Sequence, residues 1–130
     1  LLIYPEGSRS RTGKMFRPKI GFVKLALLAG VPVVPLTMKG TYEILPPHKR
    51  VPVLRRCKVV IGKKVSISPD NPAFHDIFLR QPKELKPGKL SDEAMEEIAV
   101  RIMNDIRILA GQEWDDSIAH EMETILKRRG

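Results

Sequence analysis

The sequence predicts an α/β fold, and three observations point to it. Leu1-Leu2-Ile3-Tyr4 is a continuous apolar run stopped by Pro5, the pattern of a buried strand in a parallel sheet. A helical pattern from Lys19 to Ala29 and a strand pattern from Val33 to Met38 follow, so the opening reads as one right-handed β-α-β unit. Residues 91–130 then carry two amphipathic helical patterns. The expected architecture is a mostly parallel sheet with flanking helices and a C-terminal helical pair.

Each element has its own local reason. In the first helix Ile20, Val23 and Leu27 recur at helical spacing, joined by Leu25 and Leu28. Gly30 suits its C-terminal cap and Pro32 stops it from continuing. Lys24 is the single charge in its interior, so most of its circumference is expected to be covered. Pro35 has no N–H for a ladder and places Val33–Met38 at an edge or bulge. Residues 39–57, with Pro46, Pro47 and Pro52, read as an irregular connection, and Lys58–Gly62 and Val65–Ser68 as short strands. Residues 69–90 hold Pro69, Pro72, Pro82 and Pro87 and read as a long surface loop. Ser91 is a helix N-cap with Asp92 and Glu93 in the first turn, where the helix dipole favours negative charge. Met95, Ile98, Ile102, Ile106 and Leu109 form one stripe. A last helix is expected from Asp115 to Arg128, with Ile118, Met122, Ile125 and Leu126 inward and Lys127 to Arg129 at its C-terminal end. Methionines at this spacing are core residues.

Composition narrows the function classes. A chain of 130 residues makes one domain of ordinary size, and 42% hydrophobic with 29% charged residues excludes a disordered acidic tail. The lone Cys57 excludes an intrachain disulfide and a Cys-based zinc cluster. The net charge of +8 is unevenly spread: residues 1–65 carry 14 Lys+Arg against two acids, Glu6 and Glu43, while residues 66–130 are net negative. An anionic partner for the first half follows: a phosphate ester, a nucleotide, an acidic lipid surface or nucleic acid; the plainer alternative is a solvated basic face. The longest uncharged run, Leu25–Met38, has 14 residues and is broken by Gly30, Pro32 and Pro35, whereas a membrane span needs about 20. Leu1 sits inside an apolar run, so the chain is expected to be a fragment that starts part-way through a strand.

The stretch richest in chemistry is Tyr4-Pro5-Glu6-Gly7-Ser8-Arg9-Ser10-Arg11-Thr12-Gly13-Lys14. Following a buried strand, it would lie at the carboxyl end of the sheet, where α/β folds place ligands. Arg9 and Arg11 offer planar forks for phosphate oxygens. Ser8, Ser10 and Thr12 add hydroxyls, Gly7 permits close backbone approach, and Lys14, Arg17 and Lys19 raise the positive potential. Glu6 either accepts a hydrogen bond from a substrate hydroxyl or orients Arg9 through an ion pair. A nucleotide P-loop does not fit: five residues separate Gly7 from Gly13 instead of four, and Met15 follows Lys14.

Tyr4-Pro5-Glu6-Gly7-Ser8-Arg9-Ser10 resembles the F-P-E-G-T-R-S block of the glycerophospholipid acyltransferases, and Val31-Pro32-Val33-Val34-Pro35 resembles their following block. Their order, with a helix between, is also similar, notably to the members that acylate 1-acyl-sn-glycerol-3-phosphate. The resemblance covers about residues 1–62, with Tyr4 for Phe and Ser8 for Thr as departures. It implies a partial glycerolipid acyltransferase-like fold, with residues 1–68 the phosphate-binding part, 69–90 a Pro-rich connection and 91–130 the C-terminal helices. It implies transfer of a fatty acyl group from acyl-CoA or acyl carrier protein to lysophosphatidate in phospholipid synthesis. Glu6, Gly7, Ser8, Arg9 and Ser10 would bind the glycerol phosphate, with Arg11 as helper and residues 31–35 as a wall. Partners would be a lysophospholipid and an acyl thioester, without metal, other cofactor or nucleic acid. The protein would work at the cytoplasmic face of a membrane, held there by segments outside this chain.

The family's general base is a His in an H-x-x-x-x-D block. None of His48, His75 and His120 has an acid five residues later; the positions hold Val53, Arg80 and Ile125. No catalytic residue is therefore assigned in this chain, the three histidines are expected at the surface, and the chain alone is expected to be inactive. The alternative from another class is a non-catalytic basic module binding nucleic acid or anionic membrane. With seven aromatics in the chain, base stacking has little to work with.

Overall fold

The computed structural model describes residues 1–81 and 89–128. Pro82, Pro87 and Arg129, named above, lie outside the described residues. The elements in chain order are α1 (Gly21–Ala29), β1 (Leu36–Lys39), α2 (Thr41–Ile44), β2 (Lys58–Ile61), α3 (His75–Leu79), α4 (Asp92–Ala110) and α5 (Ala119–Lys127).

The mixed α/β composition holds, but the sheet is antiparallel and small. β1 pairs with β2 in the register Leu36↔Ile61 to Lys39↔Lys58. The pairing continues past the named strands with a one-residue shift in register: Gly62 donates to the Pro35 carbonyl (2.8 Å), and beyond it Val33 and Val65 exchange both backbone hydrogen bonds (2.8 and 2.7 Å). Pro35 explains the gap, because it accepts from the ladder but cannot donate to it. Val65 makes an isolated bridge instead of opening the expected strand to Ser68. A parallel neighbour needs a crossover that returns the chain to its starting end. Here residues 40–57 hold only the four-residue α2, and the chain comes straight back along β1.

Leu1–Tyr4 form no strand and lie exposed, Leu1 at 106%. An apolar run becomes a strand only where a neighbour supplies ladder partners, and no described segment runs beside it. The expected β-α-β unit is therefore not formed among the described residues.

The helices follow their local signals more closely. The Ser91 hydroxyl accepts from Ala94 N–H at 3.1 Å and caps α4, while Gly30 and Gly111, at φ 63° and 66°, close α1 and α4 in the left-handed region. α1 buries Phe22, Val23 and Ala26 but leaves Leu25 and Leu28 exposed, Leu28 at 85%, so it packs along one face only. α5 starts at Ala119, not Asp115, because Asp115 first builds its own turn. Its carboxylate accepts from Ser117 N–H and Oγ, and its carbonyl from Ile118 and Ala119. Residues 74–79, read as surface loop, bury Phe74 and Ile77, with Phe74 as the N-cap of α3 and Ile77 inside it. Two apolar side chains inside a Pro-rich stretch carry no period, yet each gains by burial against α4.

One core cluster joins Phe22 and Val23 of α1, Phe74 and Ile77, and Met95, Ile98 and Ile102 of α4. A second joins Met15, Val100, Met103, Trp114, Met122 and Ile125. The expected inward methionines are thus core. Between α3 and α4 the guanidinium of Arg101, 1% exposed, donates to Ala73 O, both Asp76 oxygens and Glu97 Oε1. Arg80 also reaches Asp76 and Glu97 (3.0 and 2.9 Å). Such a network stabilises only while complete, because a lone buried charge is costly.

Arg101→Met is expected to cost ~3–5 kcal/mol, read as a lower urea midpoint with an unchanged slope. Hydrogen bonds from Arg101 hold the Asp76 carboxyl down to about 2 from its ordinary 3.8. Because the folded value lies below the unfolded one, this contribution is complete above about pH 4 and is lost as pH falls toward 2. Unfolding midpoints measured across that window should drop in the parent chain and vary less in Asp76→Asn.

Candidate functional site

Residues 5–19 form a closed loop. Lys19 N–H donates to the Pro5 carbonyl at its base (2.8 Å), and Gly7 N–H to the Tyr4 carbonyl at its start (3.1 Å). Gly7 is required here: its φ is +70°, and a Cβ would stand 3.0 Å from Lys19 Cε and Nζ. Glu6 Oε2 accepts from Phe16 N–H across the loop (2.9 Å). Burial raises the Glu6 pKa, and the Phe16 hydrogen bond opposes that shift. Ser10 Oγ donates to the Lys14 carbonyl (2.6 Å).

The loop is then fastened to residues 112–116. Met15 N–H donates to Glu113 O and Asp115 N–H to Met15 O, both at 2.9 Å. Thr12 Oγ1 donates to Asp115 Oδ2 (2.9 Å), Gln112 Nε2 to Gly13 O (3.0 Å), and Lys14 Nζ pairs with Asp116 (2.8 Å). Tyr42 of α2 donates its hydroxyl to Arg11 O (3.2 Å). Trp114 and Asp115, which hold this strip, had no motif to announce them.

The predicted residues divide accordingly. Glu6, Gly7 and Ser10 shape the loop. Glu6 engages a backbone amide and makes no ion pair with Arg9. Ser8, Arg9 and Arg11 are exposed, and neither arginine makes an ion pair with a described residue. A cavity of about 360 Å³ lies beside the loop, lined chiefly by Ile3, Tyr4, Pro5, Lys19, Phe22 and Leu25. Neither arginine lines it. Of the two, Arg11 has its carbonyl held by Tyr42, and Lys19 is the cation that meets the cavity wall. Of residues 31–35, Val33 and Pro35 serve the ladder while Val31, Pro32 and Val34 are exposed.

The histidines stand apart from the loop. All three are exposed; His75 Nδ1 lies 2.7 Å from Pro69 O. His120 lines a cavity of about 450 Å³ with Glu93, Glu96 and Glu121. Among the described residues no cluster of three His, Cys, Asp or Glu is arranged to hold a metal, and no helix is long and apolar enough to cross a membrane.

Gly7→Ala is expected to cost ~1–2 kcal/mol for a left-handed L-residue and to push Lys19 off the turn. A thermal melt checks the first effect, and a shift of the Lys19 side-chain resonances the second.

The acyltransferase family model matches residues 1–39. Proteins named 1-acyl-sn-glycerol-3-phosphate acyltransferase are similar to this chain. The one from Cocos nucifera is 45% identical over 42 residues, covering 32% of this chain and 14% of its own length. That from Limnanthes douglasii is 48% identical over 42 residues, covering 32% and 15%. That from Limnanthes alba is 32% identical over 96 residues, covering 67% and 34%. The aligned stretches thus span about a third or less of the relatives' own lengths. No solved structure matches. Residues 1–39, which contain the whole Glu6–Arg11 turn, are the part of the chain that is similar to the acyltransferase family.

Proposed function

We propose that residues 5–14 grip the phosphate of a 1-acyl-glycerol-3-phosphate acceptor in an acyltransferase of phospholipid synthesis. The observation that carries this reading is a turn held at Glu6, Gly7, Lys19 and the Arg11 carbonyl, whose Arg9 and Arg11 make no ion pair with a described residue. A guanidinium already paired with a carboxylate would have to be released first; a free one offers its fork directly. The likeness of residues 1–39 to the family supports the same reading.

In the proposed reaction the acceptor's free hydroxyl attacks the acyl carbonyl of a thioester on CoA or acyl carrier protein. The new C–O bond replaces the C–S bond. The hydroxyl proton passes to a general base and then to the departing thiolate. No histidine of this chain is assigned as that base; an Asp-oriented His outside these residues would supply it, so these 130 residues alone would not turn over. Arg9 holds the acceptor phosphate, Arg11 assists, and Glu6 acts through the loop as a positioning residue. The complete enzyme would work at the cytoplasmic face of a membrane.

In an active enzyme carrying this sequence, Arg9→Ala should lose ~1.5–3 kcal/mol, the worth of a hydrogen bond to a charged group. That corresponds to roughly one to two decades in kcat/KM for lysophosphatidate, with the dependence on acyl donor kept. An unchanged acceptor dependence would refute the role of Arg9.

A further inference from the structure

We infer that residues 49–58 form a membrane-surface loop that seats this end of the molecule on a bilayer containing anionic phospholipid. The segment reads Lys49-Arg50-Val51-Pro52-Val53-Leu54-Arg55-Arg56-Cys57-Lys58. It interleaves five cations with three aliphatic side chains, and no acid occurs between Glu43 and Asp70. Every one of its residues is exposed, Leu54 at 103%. None of its cations makes an ion pair with a described residue. Where it joins β2, Lys58 stands directly opposite Lys39, a like-charge pair that disfavours the ladder and that a layer of anions would relieve.

The loop is held, not trailing. Val53 N–H donates to Ile44 O at 2.8 Å. Arg56 O approaches Gly40 so closely that a Cβ there would lie 2.7 Å from it. Val53–Arg56 is therefore presented on a fixed backbone. Cations alone would suit nucleic acid equally well. The aliphatic side chains decide between the two: a headgroup layer accepts Val51 and Leu54 at the acyl boundary and the Lys and Arg heads among phosphates. A nucleic acid would leave them in water, and no Phe, Tyr or Trp lies between Tyr42 and Phe74 to stack on a base. Tyr42, on the same short helix as Ile44, also donates to Arg11 O, so α2 is tied both to this loop and to the 5–14 turn. The inference goes beyond the acyl-transfer reading and does not require it.

The single cysteine, Cys57, is exposed within the loop and can carry an environment-sensitive fluorophore. The labelled chain should brighten and co-float with vesicles of phosphatidylcholine plus phosphatidylserine, but not with phosphatidylcholine alone. Each cation near the surface contributes about five-fold in partition, so Arg55→Ala/Arg56→Ala should lose roughly 25-fold. Leu54→Asn should lose roughly ten-fold by removing apolar burial; these side chains are exposed, and an unchanged thermal melt confirms the fold. Equal partition to both vesicles, parent-like binding by either variant, or salt-steep binding to duplex DNA in preference to vesicles would each overturn the inference. The vesicles contain no lysophosphatidate, so failure here is read separately from failure of the acceptor assay.

Discussion

Met15 donates its amide to Glu113 and accepts from the amide of Asp115, and these two hydrogen bonds join segments about a hundred residues apart. The shape of the 5–14 turn depends on that junction. Closing so long a loop carries an entropy that grows only with the logarithm of its length, and the burial of Met15 against Trp114, Met122 and Val100 offsets it. Once Met15 is fixed, Thr12, Gly13 and Lys14 fall within reach of Asp115, Gln112 and Asp116. The carbonyls of Pro5, Arg11, Gly13 and Lys14 are then taken up by neighbours, while the Arg9 and Arg11 side chains make no ion pair with a described residue. A turn satisfied by its own arginines would be stable and chemically silent.

What the sequence makes legible is whatever is decided within a few residues. Ser91 caps α4 through an amide three positions away, and Gly30 and Gly111 end their helices by adopting a conformation other residues avoid. The stripe of α4 is read from a period, and its buried members Met95, Ile98 and Ile102 sit where the period puts them. The Glu6–Arg11 turn is recognisable because its residue types are dictated by chemistry. Pairing between distant segments leaves no such trace. Leu1–Tyr4 has the composition of a strand and no described partner, while Phe74 and Ile77 have no period and are buried. The direction of β2 was equally hidden, since residues 40–57 hold no feature that distinguishes a return from a crossover. Asp115 stands at the expected start of the last helix. Its hydrogen bonds to Ser117 and Thr12 show a residue occupied on both sides of the junction instead.

The charge asymmetry of the chain is divided by the fold into a used and an unused part. Lys14, Arg17 and Lys24 of the basic half pair with Asp116, Glu96, Glu121 and Asp92 of the acidic half. Each exposed pair is worth little alone, yet together they set the two halves in one register. Arg9, Arg11, Lys19 and the cations from Lys39 to Lys64 find no such counterpart among the described residues. Self-repulsion among unpaired like charges disfavours the compact state. The proposed acceptor phosphate and anionic bilayer would both supply the counter-charge that relieves this repulsion. Two groups of free cations, one on the 5–14 turn and one on the loop before β2, are bridged by a single tyrosine whose hydroxyl holds the turn and whose helix holds the loop. Both segments are therefore anchored, at one backbone point each, to the same four-residue helix.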